Sequence, residues 1–276
     1  MEVVLFHRHT KKAPRSSQKV SKNSTQTTQA SSVLAENKRP LLLEKIRKYM
    51  SLDDVAYQNL CQTLIEDLVH YCQKLPETTT SYYAQAGGLV DHALNRTEAA
   101  LNLFQNFLLQ DPSQPLSEQQ KLWQYALFSV AILQNIGTLF VDYKVQILDA
   151  KGQVLKNWNP LEERLSQAGA FYDYELASTL DVSFKQRLNV LLARDLMPAS
   201  GFSWIASDSQ VLAVWLALLN EDHRGAGTLS AILIRADALA IQRYLNEFMS
   251  KINAKRSLYG GTGTFIDAPQ ESLLDK

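Results

Sequence analysis

The sequence predicts a mainly α-helical domain with one β-hairpin insertion and disordered termini. Three observations lead there. Apolar residues recur every three or four positions through most of the stretch from Leu60 to Tyr244, the spacing of one helix face. Alternation of apolar and polar residues is confined to Val141, Tyr143, Val145 and Ile147, just before a Lys151–Gly152 turn. Both ends are polar or glycine-rich and offer few apolar side chains to offset the entropy of ordering.

Taken in order, residues 1–39 read as a disordered basic tail, because 8–39 are dominated by Ser, Thr, Gln and Lys, as in the run from Ser21 to Ser32. Structure is expected from Pro40. Ser51 is the expected N-cap of a first long helix, with Asp54 at its third position; Leu60, Leu64, Leu68 and Cys72 carry it to about Leu75. Gly87 and Gly88 mark a turn into a second helix, striped by Leu89, Ala93, Ala100, Phe104 and Phe107 and ended by Asp111, Pro112 and Pro115. Ser117 and Gln120 form a capping box for a third, with Leu122, Ala126, Val130 and Leu133 buried and Gly137 closing it. The hairpin follows, returning through Val154 and Leu155 and ending at Trp158–Asn159–Pro160. Three further stripes are helical: Leu188, Leu191, Leu192 and Leu196 before Pro198; Val211, Val214, Trp215 and Leu218; and Leu229, Ile232, Leu233, Ala236, Ala240 and Tyr244. The helical domain is therefore set at 40–250 and a flexible C-terminal tail at 251–276, which contains Gly260, Gly261 and Gly263.

Charge is balanced over the chain, 28 bases against 28 acids, but unevenly spread. Residues 1–39 hold eight Lys or Arg and two acids, leaving a mildly acidic body of 20 bases and 26 acids. A cationic tail points to an anionic partner such as DNA, with Arg8, Lys11, Lys12, Arg15, Lys19 and Lys22 as the candidate contacts. No signal-peptide stretch opens the sequence, and the apolar run Val211–Leu219 is too short to cross a bilayer, so no membrane partner is expected and a cytoplasmic location is. Cys61 and Cys72 lie three helical turns apart and cannot bridge within one helix, which suits reduced thiols.

Four strings occur in a fixed order. They are Gly87–Gly88–Leu89–Val90–Asp91–His92 at the entry to a helix; Ala126 to Gly137, followed by the hairpin and Trp158–Asn159–Pro160; Leu191 to Pro198; and Ile234–Arg235–Ala236–Asp237 in the last core helix. In this order, over roughly residues 40–250, the chain resembles the N-terminal domain of TraI-class (MobH) conjugative relaxases, which is similar to HD-superfamily phosphohydrolases. The resemblance implies an HD-like helical fold. It also implies a divalent-metal site built from one His, an adjacent His-Asp pair and a distant Asp, because imidazole and carboxylate together suit a transition metal that activates water against a phosphodiester.

Carried over residue by residue, that pattern is degenerate. His92 matches the first His and Asp237 the last Asp, but the His-Asp pair is Gln134–Asn135, a neutral pair that ligates transition metals poorly. The histidines expected just before the Gly-Gly turn are Ser81–Tyr82–Tyr83, and another, expected before Leu191, falls near Phe184–Lys185. The vestigial metal-site positions are thus His92, Gln134, Asn135 and Asp237, expected to lie together around a small polar pocket, with no catalytic residue, metal or cofactor assigned. His92 reads most simply as a core histidine and Asp237 as its structural partner or that of an arginine. Tyr82 and Tyr83 are the candidates for a relaxase-type nucleophile, set against a reading as aromatics packed before a turn. His70 and His223 read as boundary or surface residues, and Gly260–Gly261–Thr262–Gly263 lacks the strand before it and the Lys after it that a phosphate loop needs. The expectation is a non-catalytic, relaxase-derived protein of a conjugative or integrative element, acting through DNA or through conjugation and relaxosome proteins. The alternatives are an active metal-dependent phosphodiesterase or nickase with a rearranged site, and a relaxase fragment completed by another chain.

Overall fold

Ordered structure begins well before Pro40. The structure, a computed structural model, describes residues 24–78, 80–108, 115–176 and 182–259. Strand β1 (Thr25–Gln26) pairs with a later strand, and helix α1 (Ala30–Leu34) buries Ala30, Val33 and Leu34. The division at residue 39 is therefore corrected: 24–39 belong to the domain. The segment is poor in apolar residues, but the few it has fall at the spacing of one helix face, and its polar groups are fixed by specific partners. Thr27 Oγ1 donates to the Gly169 carbonyl at 3.0 Å, and the Thr28 amide donates to Gln73 Oε1 at 2.8 Å. Composition counts such residues as polar and misses that their bonds are already spoken for. Arg8, Lys11, Lys12, Arg15, Lys19 and Lys22 lie outside the described residues.

Helix α2 (Arg39–Tyr49) leads to α3 (Asp54–Tyr57), whose N-cap is Asp53 rather than Ser51: the Asp53 carboxylate accepts from the Ala56 amide. A π-helical turn at Gln58–Gln62, which buries Cys61, continues into α4 (Thr63–Cys72), which buries Cys72. That helix stops at Gln73, held at φ 47° with its side chain bonded to the Val69 carbonyl and the Thr28 amide. Helices α5 (Gly88–Leu108) and α6 (Glu118–Leu133) follow, the latter starting with the expected Ser117–Gln120 capping box. Helix α6 ends at Leu133, before Gly137, because Gln134 leaves helical ψ and Asn135 takes φ 65°. It is buried around almost its whole circumference, from Tyr125 to Leu133. The stretch 118–141 is long and apolar enough to cross a membrane, but 72% of its most apolar window is buried inside the fold, as in a core helix.

After α7 (Thr138–Val141) comes the expected hairpin, β2 (Tyr143–Leu148) and β3 (Val154–Asn157), but it is part of a larger sheet. Past the short α8 (Leu165–Ala168), strand β4 (Phe171–Leu176) pairs with β2 and with β1, giving an antiparallel sheet in the order β1-β4-β2-β3. Helix α9 (Val182–Leu196) buries Leu188, Leu192 and Leu196 but leaves Leu191 56% exposed. Helices α10 (Ala199–Ala206), which was not anticipated, and α11 (Ser209–Leu219) precede α12 (His223–Tyr259). Helix α12 breaks at Gly227 (φ 55°, ψ −133°) and then runs on through 251–259, so the expected tail boundary at 251 falls inside a helix. Gly260 to Gly263 lie outside the described residues. The architecture is mainly α, with the long α5 at its centre, packed between α2, α6 and α12.

Candidate functional site

The site is assembled at the entrance of α5, and two glycines set that entrance. Gly87 has φ +77°, a region L side chains rarely occupy. At Gly88 an added Cβ would sit 1.8 Å from the Tyr83 carbonyl oxygen. The turn therefore brings Glu77, Tyr82 and Tyr83 over the start of α5, where His92 sits. Arg96, one turn further along the same face, points with it toward α12 and the end of α6.

His92 is 2% exposed. Its Nε2 lies 3.0 Å from Asp237 Oδ1 on α12, and its Nδ1 lies 3.2 Å from Glu77 Oε1. Both approaches are oblique to the ring, so they are close electrostatic contacts rather than aligned hydrogen bonds. Tyr83 stacks on the imidazole with ring centroids 4.8 Å apart, and Tyr82 meets it edge-on at 5.5 Å. Arg96, also 2% exposed, places Nη1 3.2 Å from the same Asp237 Oδ1. Its Nε donates to the Ala131 carbonyl at 2.9 Å and its Nη2 to the Gln134 carbonyl at 3.3 Å, so it caps carbonyls left open at the end of α6.

The charges follow from this geometry. Burial opposes a proton on His92, but the carboxylates of Asp237 and Glu77 together outweigh it and raise its pKa above the ordinary imidazole value. Burial would raise the Asp237 pKa, yet His92 and Arg96 hold it down to about 2. Asp237 is thus a carboxylate held between an imidazole and a guanidinium. Burial pushes the phenols of Tyr82 and Tyr83 up, and the Tyr83 hydroxyl is committed to the Ala240 carbonyl at 2.9 Å. A raised phenol disfavours the phenolate that a tyrosine nucleophile uses.

The structure brings His92 and Asp237 into contact and places the Gln134 backbone against Arg96, which bridges to Asp237. Asn135 adjoins them in the turn after α6, and the Gln134 Oε1 atom is buried without a partner. The Arg96 guanidinium lies against Asp237 and the Tyr83 ring against His92; the two cavities described lie elsewhere, one beside Trp123 and Leu229, the other on the sheet beside Trp158. Near the site's far edge Lys185 Nζ pairs with Asp142 at 2.6 Å. His70 Nδ1 lies 3.0 Å from Ser166 Oγ and His223 Nδ1 2.8 Å from Ser230 Oγ, both remote pairs. Sequence reasoning missed Glu77 and Arg96. Arg96 had a signal, since it lies four residues after His92 on an otherwise apolar helix face. Glu77 had none, because only the glycine-determined turn brings it over α5.

These residues do not fit a divalent transition metal. Such a site needs about four donors converging on one point, at roughly 2 Å each. Among the described residues, no group of three or more His, Cys, Asp or Glu side chains is placed to hold a metal ion. The two nitrogens of His92 face opposite carboxylates, and the oxygen of Asp237 nearest Nε2 already carries a guanidinium.

The family model TraI_2, described as "Putative helicase", matches residues 24–258, which includes the 24–39 segment that composition had set aside. No curated protein matches the chain.

Proposed function

The chain belongs to the TraI_2 family, and from that membership we propose that it is a relaxase-derived protein of a conjugative or integrative element that works through DNA or protein contacts without catalysis. The HD-like reading of the fold belongs to the same proposal. The observation that carries it is the fate of the two surviving ligand positions. His92 and Asp237 face each other across α5 and α12, with Glu77 on the far side of the imidazole and Arg96 on the carboxylate. A hydrolytic site needs its carboxylate free to hold an ion and an open position for water; here Oδ1 of Asp237 already faces both the imidazole and the guanidinium. The helicase wording of the family description is not carried to this chain, whose sequence has no Gly-x-x-x-x-Gly-Lys-Ser/Thr run to hold a nucleotide. The basic residues between Arg8 and Lys22 are the proposed DNA contacts, since such contacts work through charge and do not need a folded groove.

The test is elemental analysis of the purified full chain, paired with a nicking assay on supercoiled plasmid in MnCl2, MgCl2 or ZnCl2. Well under one equivalent of Mn, Fe, Zn or Ni is expected, and no relaxed product. Stoichiometric metal that survives dialysis and is lost with His92→Ala would sink the proposal and restore a working phosphodiesterase.

A further inference from the structure

We infer that Arg96 is the resident cation of this site, a guanidinium built into α5 that takes the place of a bound metal on Asp237. The inference rests on the proposed reading of His92 and Asp237 as former metal positions and says what now holds them. Arg96 is 2% exposed, and burying an unpaired charge at that depth is too costly to persist. It is paired and hydrogen-bonded instead. Nη1 lies against Asp237 Oδ1, the oxygen that also faces His92 Nε2, while Nε and Nη2 donate to the Ala131 and Gln134 carbonyls. Those carbonyls sit at the C-terminal end of α6, where the helix dipole adds partial negative charge and favours a cation. One group therefore joins α5, the end of α6 and α12, the three elements that bear the four positions. A guanidinium does not deprotonate in proteins, so this cation cannot be chelated, diluted or exchanged. Asp237 Oδ1 already faces this guanidinium, so a divalent ion binding that oxygen would have to displace a cation fixed to the chain.

The experiment uses the full chain. MnCl2 and ZnCl2 are titrated into wild type by calorimetry and by thermal unfolding, against NaCl at matched ionic strength; no saturable binding or stabilisation is expected. A double-mutant cycle is then built from Arg96→Met and Asp237→Asn and read by urea unfolding. If the guanidinium serves to neutralise Asp237, the fold-loss in folding equilibrium caused by Arg96→Met should shrink by about tenfold or more once Asp237 is Asn. Should Arg96→Met fail to fold, the double variant should recover a cooperative transition. Saturable metal binding by wild type overturns both this inference and the proposed function. A metal-free wild type with an additive cycle, or a double variant no more folded than Arg96→Met, overturns this inference alone.

Discussion

Arg39 Nε donates to Asp91 Oδ1 at 2.7 Å, and the guanidinium that makes this bond is fully buried. Its remaining nitrogens reach the Val33 carbonyl at 2.6 Å and the Gly87 carbonyl at 3.2 Å. One side chain thus ties α1 and α2 to the glycine turn that places His92. Removing one partner of a buried ion pair leaves the other uncompensated, so Arg39→Ala is expected to cost about 3–5 kcal/mol in urea unfolding. A loss below about 1 kcal/mol would show that Asp91 and the two carbonyls find water instead. A truncation that starts at Pro40 should be destabilised at least as much, since it also removes Ala30, Val33 and Leu34 from the core.

The Gly-Gly turn makes a second prediction. Gly87→Ala forces a positive φ on an L residue, and Gly88→Ala drives a methyl group into the Tyr83 carbonyl, backbone that cannot swing aside. Overpacking of this kind costs about 1–3 kcal/mol. Because the turn carries Tyr83 and Glu77 over His92, Gly88→Ala should also disturb the His92 imidazole signals in NMR spectra. Unchanged stability and unchanged imidazole signals would mean that the turn is more adaptable than its geometry indicates.

How far the sequence foretold this arrangement depends on whether the determining contacts were local. The capping box at Ser117–Gln120 and the stripes of α6, α9, α11 and α12 were legible because cap and helix periodicity are properties of neighbouring residues. Strand β4 was not read, although Tyr172 is fully buried, because its fit to β2 depends on a partner more than twenty residues away. The same reason explains the misjudged tail: Arg39 looks like one more surface cation until Asp91 and Gly87 are seen beside it. His92 and Asp237 were found through the resemblance, whereas Arg96, which pairs with Asp237 beside His92, carried no motif and was not singled out.

Tyr83 should behave as a structural residue. Its hydroxyl donates to the Ala240 carbonyl, so Tyr83→Phe removes one buried hydrogen bond and is expected to cost about 1 kcal/mol. Tyr82→Phe, at a half-buried phenol, should cost less. Neither change should alter DNA binding. A nicking activity in wild type that disappears with either substitution would reinstate that tyrosine as a nucleophile.

The DNA proposal places the contacts between Arg8 and Lys22. Removing residues 1–23 takes away six cations and one acid. If all six neutralise phosphates, the slope of log affinity against log salt should fall by at most about five, and most affinity should vanish with it. Replacing the six by Gln within the full chain should reproduce the effect. An unchanged slope would move the contact surface onto the helical body.

The last prediction concerns pH and follows from the position of His92 between Glu77 and Asp237, with Arg96, Tyr82 and Tyr83 the other ionisable groups around it. Its pKa is raised in the folded protein, so between the unfolded and folded values the native state holds a proton that the unfolded chain has released. The resulting stability is present in full below about pH 6.5, the unfolded imidazole value, and is lost as pH rises through the folded one. Asp237 does not obscure this window: its pKa is depressed to about 2, so its contribution is lost only as pH falls through that range. Urea unfolding of wild type should therefore show stability declining from pH 6 toward alkaline pH. The chain has four other histidines, so the quantity to read is the difference between wild type and His92→Gln. That difference should shrink steadily as pH rises, because the substitution removes the imidazolium whose favourable contacts are being lost. A difference that grows with pH would mean that burial wins over the two carboxylates and keeps the imidazole neutral, leaving Arg96 as the sole cation on Asp237.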